Sequence, residues 1–132
     1  MVAAGGALGT VARYEIGITW PVAAGTFPWT TLIVNLLGSV VLGVLLTVVA
    51  ADSASAHRTR AFAAVSFCGG FTTFSTWMVE SVLLARDGDT GLGALYTVVS
   101  LLAGVAAVAA GVLGARAVLH RQMPRFDPQG ED

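Results

Sequence analysis

Ser66-Phe67-Cys68-Gly69-Gly70-Phe71-Thr72-Thr73-Phe74-Ser75-Thr76 lies inside an apolar segment long enough to be a membrane helix, yet it is a poor helix interior. Two adjacent glycines and two β-branched threonines weaken the intrahelical ladder through backbone entropy and restricted χ1. Free backbone groups at membrane depth are tolerated only where protein buries them or where they line a polar cavity. Two readings fit. One is a break in the helix that binds something, most simply an ion. The other is a glycine-rich helix contact, with hydroxyls bonded back to the preceding turn.

Composition narrows the setting. Of 132 residues, 55% are apolar and 11% charged, and there is no lysine. The apolar runs are too many and too long for one signal peptide, so the sequence predicts an all-α, polytopic membrane protein. A net charge of −1 offers no basic surface for nucleic acid. Cys68 is the single cysteine, which excludes a disulfide framework within the chain; it reads as a small apolar core residue.

Around the opening stretch, four spans are expected in one membrane domain covering residues 1–132. The first runs over 2–20, with Gly5 and Gly9 at small-xxx-small spacing and with Arg13, Tyr14 and Glu15 interrupting it. Arg13 and Glu15 are two apart and do not face each other on a helix. The hydrophobic segment starts almost at Met1, which leaves room for an upstream turn. Pro21 ends the first span. The second covers 29–50, where Thr31, Asn35, Ser39 and Gly43 recur every four residues and make one polar or small face. Asn35 reads either as interhelical glue or as a donor aimed into a pore. A polar loop is expected over residues 52–60, with His57 solvated. The third span covers 61–85, placing Phe74, Trp77 and Glu80 along one line. The fourth covers 91–115 with Tyr96, Ser100 and Gly104 at four-residue spacing, and residues 120–132 read as a solvated, disordered tail.

Four spans put Arg58, Arg60, Arg116, Arg121 and Arg125 on the side of the N-terminus and only Arg86 on the other. The positive-inside rule then places both termini in the cytoplasm, with the chain in the cell's inner (plasma) membrane. A chain inserting equally in both orientations would lack this bias.

No Ser-His-Asp set, paired metal ligands or phosphate loop is legible, so the sequence does not read as an enzyme. Asn35, Thr73, Ser75, Thr76, Tyr96 and Ser100 are neutral donors on embedded faces, and aromatic edges are electropositive. Such groups suit a small, strongly hydrated anion. Backbone carbonyls freed over residues 69–72 suit a cation.

The run GGFTTFST at residues 69–76 resembles the signature of the CrcB/Fluc family of fluoride channels. GGALGTVARY at 5–14, TLIVNLLGS at 31–39 and the Tyr96…Ser100 spacing are similar to it as well, so the likeness covers residues 3–115 in order. The resemblance implies four-helix subunits with a broken third helix, paired as antiparallel dimers. It implies a structural sodium ion (Na+) on the two-fold axis, held by the carbonyls of Gly69 and Thr72. A passive, outward fluoride path would be lined by Asn35, Thr73, Phe74, Trp77, Tyr96 and Ser100, with Arg13 and Glu80 at the vestibule and pore. Fluoride enters cells as neutral HF and ionises there, so this path would give fluoride resistance. Trp77 stands where the family has its second pore phenylalanine; an indole is bulkier and brings an N–H donor. That departure and the arginine bias point to one half of a heterodimer whose partner has opposite topology, with a homodimer as the alternative. Rival readings are a small dual-topology cation or multidrug antiporter using Glu15, and a non-conducting scaffold subunit.

Overall fold

The computed structural model describes residues 2–51 and 55–122, which form five helices and no strand. These are α1 (Val2–Thr19), α2 (Trp29–Ala51), α3 (Ser55–Phe71), α4 (Phe74–Arg86) and α5 (Thr90–Gln122). α1 lies against α3, α2 packs on both α3 and α5, and α4 rests on α5. The segment expected as one third span is two helices, parted at Thr72 and Thr73.

Close approach is built from glycine. A Cβ at Gly9 would lie 2.1 Å from the carbonyl oxygen of Phe67, and one at Gly70 would lie 2.2 Å from that of Gly6. The α1–α3 contact thus runs through Gly6 and Gly9 of α1 and Gly70 of α3. α2 and α5 meet reciprocally: Cβ atoms at Gly43 and Gly111 would lie 2.3 Å from Val108 O and 2.2 Å from Val40 O. Gly93 of α5 brings that helix onto the Ser81 carbonyl of α4 in the same manner.

Two boundaries differ from expectation. Residues 55–60, expected in a loop with His57, are the first part of α3. They include neither glycine nor proline, so nothing stops the helix from continuing past the apolar residues. α5 continues to Gln122, past the expected end at 115, because residues 115–122 likewise lack a breaker before Pro124. His120, Arg121 and Gln122 are thus helical; the remainder of the expected tail, 123–132, lies outside the described residues, as do residues 52–54 of the expected loop. Between α4 and α5 the chain turns through Gly88 at φ 98, and Asp89 Oδ1 caps α5 by accepting from Leu92 N–H at 3.0 Å.

The distribution of apolar surface is that of a molecule in lipid. Few large side chains are buried, chiefly Leu32, Leu84 and Tyr96. Leu8, Val11, Ile18, Leu101, Leu102, Val105 and Leu113 point outward. Exposed apolar surface on this scale marks a membrane or an assembly interface. α2 and α5 are each long and apolar enough to cross a bilayer.

If glycine contacts set the packing, Gly9→Ala lowers stability in detergent by about 1–3 kcal/mol through forced separation of α1 and α3. Gly114→Ala, which meets nothing within 4 Å, should be neutral or stabilising by up to about 1 kcal/mol. Thermal denaturation of the two variants measures the contrast; equal melting temperatures would contradict it.

Candidate functional site

The break has a local cause. Thr72 Oγ1 bonds back to Cys68 O at 2.9 Å, beside the backbone bond from Thr72 N–H to the same carbonyl at 2.8 Å. Thr73 then turns extended (φ −145, ψ 121) and becomes the N-cap of α4, accepting Thr76 N–H on its Oγ1 at 3.1 Å. Threonine is a preferred cap, so the second threonine of the TT pair restarts what the first ends. The Thr73 hydroxyl also donates to Thr76 Oγ1 at 3.0 Å.

Asn35 closes the gap from α2. Its Nδ2 donates to Thr73 O at 2.9 Å, and its Oδ1 accepts Thr73 N–H at 2.8 Å. The amide thus pairs with an extended backbone as a neighbouring strand would. Gly38, one turn on, makes room: a Cβ there would lie 2.3 Å from Thr72 Cγ2. Gly38 was not singled out in the sequence, although its i+3 spacing from Asn35 puts it on the same face. From α1, Arg13 Nε donates to Gly70 O at 3.2 Å. Gly69 and Gly70 divide the work. Gly70 admits α1, while a Cβ at Gly69 would meet nothing within 4 Å.

Below the break lies an open groove of about 460 Å³, lined by Asn35, Ser39, Gly69, Thr72, Thr73, Phe74, Trp77, Ser100 and Gly104 among apolar side chains. None of the lining residues is charged. Phe74 and Trp77 meet edge to face, with centroids 5.2 Å apart. Trp77 packs its other side on the Leu32–Leu84–Tyr96 core. Two buried polar atoms in this wall have no hydrogen-bond partner, Trp77 Nε1 and Ser100 Oγ. Leaving a buried donor unpaired costs about 1–3 kcal/mol, so such atoms call for an acceptor.

Tyr96 is placed differently from the expected lining. It is fully buried and does not reach the groove. Its hydroxyl donates to Glu80 Oε2 at 2.8 Å, and Thr31 Oγ1 donates to Glu80 Oε1 at 2.8 Å. The acid is held at both oxygens, away from the groove, in a smaller cavity of about 170 Å³ beside the first loop. Arg13 lies at a separate cavity of about 200 Å³ with Thr30, Thr31, Thr73 and Thr76. Glu15 is exposed and lines none of these cavities.

A cation at the break fits the donors present. Among the described residues no group of three or more His, Cys, Asp or Glu could hold a metal ion. Gly69 and Thr72 instead offer backbone carbonyls whose helical amide partners are bonded elsewhere, Thr73 N–H to Asn35 and Thr76 N–H to Thr73 Oγ1. Uncharged oxygens of this kind suit a hard monovalent cation.

The clamp on Glu80 makes a quantitative expectation. Tyr96→Phe and Thr31→Val each remove one donor to a half-buried carboxyl group and should each cost about 1–3 kcal/mol of stability. Because both bonds converge on one group, the double variant should depart from additivity by about 0.5 kcal/mol or more in a thermal or chemical denaturation cycle. Strict additivity would mean that the two hydroxyls do not share the acid.

Residues 1–112 match the family described as CrcB-like protein, Camphor Resistance (CrcB). A Fluoride-specific ion channel FluC from Chlorobium chlorochromatii is 42% identical over 116 residues, covering 88% of this chain and 90% of that protein. Fluoride-specific ion channel FluC 1 from Streptomyces coelicolor is 43% identical over 120 residues, covering 90% and 77%. The Agrobacterium fabrum FluC is 42% identical over 113 residues, covering 85% and 90%. With the family matched over most of its length and a charge-free groove at a helix break, this chain belongs to the CrcB-like family of membrane proteins.

Proposed function

We propose that this chain is a subunit of a fluoride-specific ion channel, through which cytoplasmic fluoride leaves the cell passively. One observation of the molecule carries the reading: the groove at the broken helix is lined by neutral donors and ring edges and by no charged side chain. Relatives about 40% identical over most of the chain carry the name of such a channel. A small, strongly hydrated anion gives up water only where fixed donors replace it, and it leaves again only where no full positive charge traps it. Asn35, Thr73 and Ser100 supply polar groups, Phe74 an electropositive edge, and Trp77 an indole whose N–H has no acceptor among the described residues. Tyr96 stands one layer back and acts by fixing Glu80. Arg13 holds the break and gives its cavity positive charge at one end of the path.

On this reading the chain crosses the membrane four times, with α3 and α4 as halves of the third span and both termini in the cytoplasm. It pairs with a subunit of opposite topology. The carbonyls of Gly69 and Thr72 face a structural sodium ion together with those of the partner. Two oxygens from this chain and two from the partner make a four-oxygen, uncharged site, and the open Gly69 face leaves space for a second subunit. The five-to-one arginine distribution fixes one orientation and so favours a partner of unlike sequence. An antiporter working through Glu15 is not favoured, because that residue lies outside the cavities at the break.

Fluoride-electrode measurements on liposomes test the proposal. With the partner subunit present, Phe74→Ile should slow fluoride efflux by roughly tenfold or more, while Glu15→Gln leaves it within about twofold. Efflux indifferent to Phe74 in either subunit would reduce this chain to a scaffold. Loss of transport in Glu15→Gln would restore the antiporter. Robust efflux from the chain reconstituted alone would exclude an obligate heterodimer.

A further inference from the structure

Where the backbone N–H groups of the break go determines what its carbonyls can bind. In an unbroken helix Thr73 N–H would return to Gly69 O, and Thr76 N–H to Thr72 O. Neither does. Thr73 N–H donates to Asn35 Oδ1 at 2.8 Å, and Thr76 N–H donates to Thr73 Oγ1 at 3.1 Å. Gly70 O, which lies between the two carbonyls in sequence, is instead taken by Arg13 Nε at 3.2 Å. Gly69 and Thr72 line the groove, and the two residues that intercept their donors line it with them.

We infer that Asn35 and Thr73 are positioning residues for the backbone cation site: each side chain captures the one amide that would otherwise occupy a ligand carbonyl. A helical carbonyl points along the axis at its i+4 amide, whose partial positive charge sits where a cation would have to sit. Removing that amide leaves an oxygen that is both unpartnered and free of the repulsion. Asn35 does this for Gly69, and Thr73 does it for Thr72. The inference rests on the reading of these two carbonyls as sodium ligands.

Coupling then runs in both directions, as linkage requires. Sodium on the carbonyls favours the broken form of the segment. That same form holds the Asn35 amide and the Thr73 hydroxyl in the groove wall. Loss of either side chain lets one N–H return to its helical carbonyl and lowers the affinity for the ion. Thr73→Ser keeps the capturing oxygen and should behave as the parent protein does.

The test is a sodium titration of the purified, assembled protein in detergent. Thermal stability is followed as Na+ replaces N-methylglucamine at constant ionic strength. The parent protein and Thr73→Ser should gain stability over the same Na+ range, whereas Asn35→Ala and Thr73→Val should need roughly tenfold more Na+ or more. A merely structural role lowers the melting temperature at every Na+ concentration and leaves the range where it was. The variants act on different carbonyls, so if Asn35→Ala does not fold, Thr73→Val decides alone. Titration of Thr73→Val, or of a folded Asn35→Ala, in the parent range overturns the inference. Indifference of the parent protein to sodium would remove the cation reading itself, a separate result.

Discussion

The two-way bond between the Asn35 amide and the Thr73 backbone is the interaction on which the rest depends. A helix cannot be interrupted at membrane depth without supplying new partners for the groups it releases, each of which costs several kcal/mol if left unmet in lipid. One asparagine meets both groups of Thr73 at once. It reaches them only because Gly38 lets the Thr72 methyl sit against α2 and because Gly6, Gly9 and Gly70 let α1 and α3 touch. The same contact carries Arg13 to the Gly70 carbonyl. Three helices thus converge on four residues, and the small side chains exist to allow the polar ones to meet.

Charge is kept off the groove by a second device. Glu80 follows Phe74 and Trp77 along α4, so an unrestrained carboxylate could lean toward the same space. Thr31 and Tyr96 hold it from α2 and α5 instead, on the far side of the core against which Trp77 packs. At an effective dielectric of about 20, two like charges about 8 Å apart repel by about 2 kcal/mol. A pinned, fully hydrogen-bonded carboxylate therefore shapes the electrostatics of a neighbouring anion path more reliably than a mobile one. Tyr96 serves that purpose from inside the core, which explains why a residue on a polar helix face is fully buried.

Much of this was legible in the sequence, and the residues show why. Two glycines followed by two threonines announced a weak helix, and the break falls at Thr72 and Thr73. Periodicity put Asn35 on a polar face of α2, and the glue reading describes its bonds: it ties α2 to both backbone groups of Thr73, at the edge of the groove. What spacing could not reveal was direction. Tyr96 and Ser100 share a four-residue track, yet one points into the core and the other lines the groove, because the helix surface between α2, α4 and the open side turns through that interval. Boundaries set by apolarity alone also fell short. α3 and α5 run past their apolar stretches into polar turns that contain no breaker.

Trp77 is where this chain departs from its family's resemblance, and its surroundings give the departure a physical meaning. A phenylalanine there would present only a ring edge. The indole keeps its edge-to-face contact with Phe74 and adds an N–H that no acceptor among the described residues satisfies. Packing alone would select against that atom, since a phenylalanine buries as well without the unmet donor. The atom is buried within the chain, so an ion or a second subunit could meet it only after side chains of the groove wall shift. Trp77 thus joins Gly69 and Thr72 as a groove residue with a polar group left unpaired among the described residues, on the side where the fold is open.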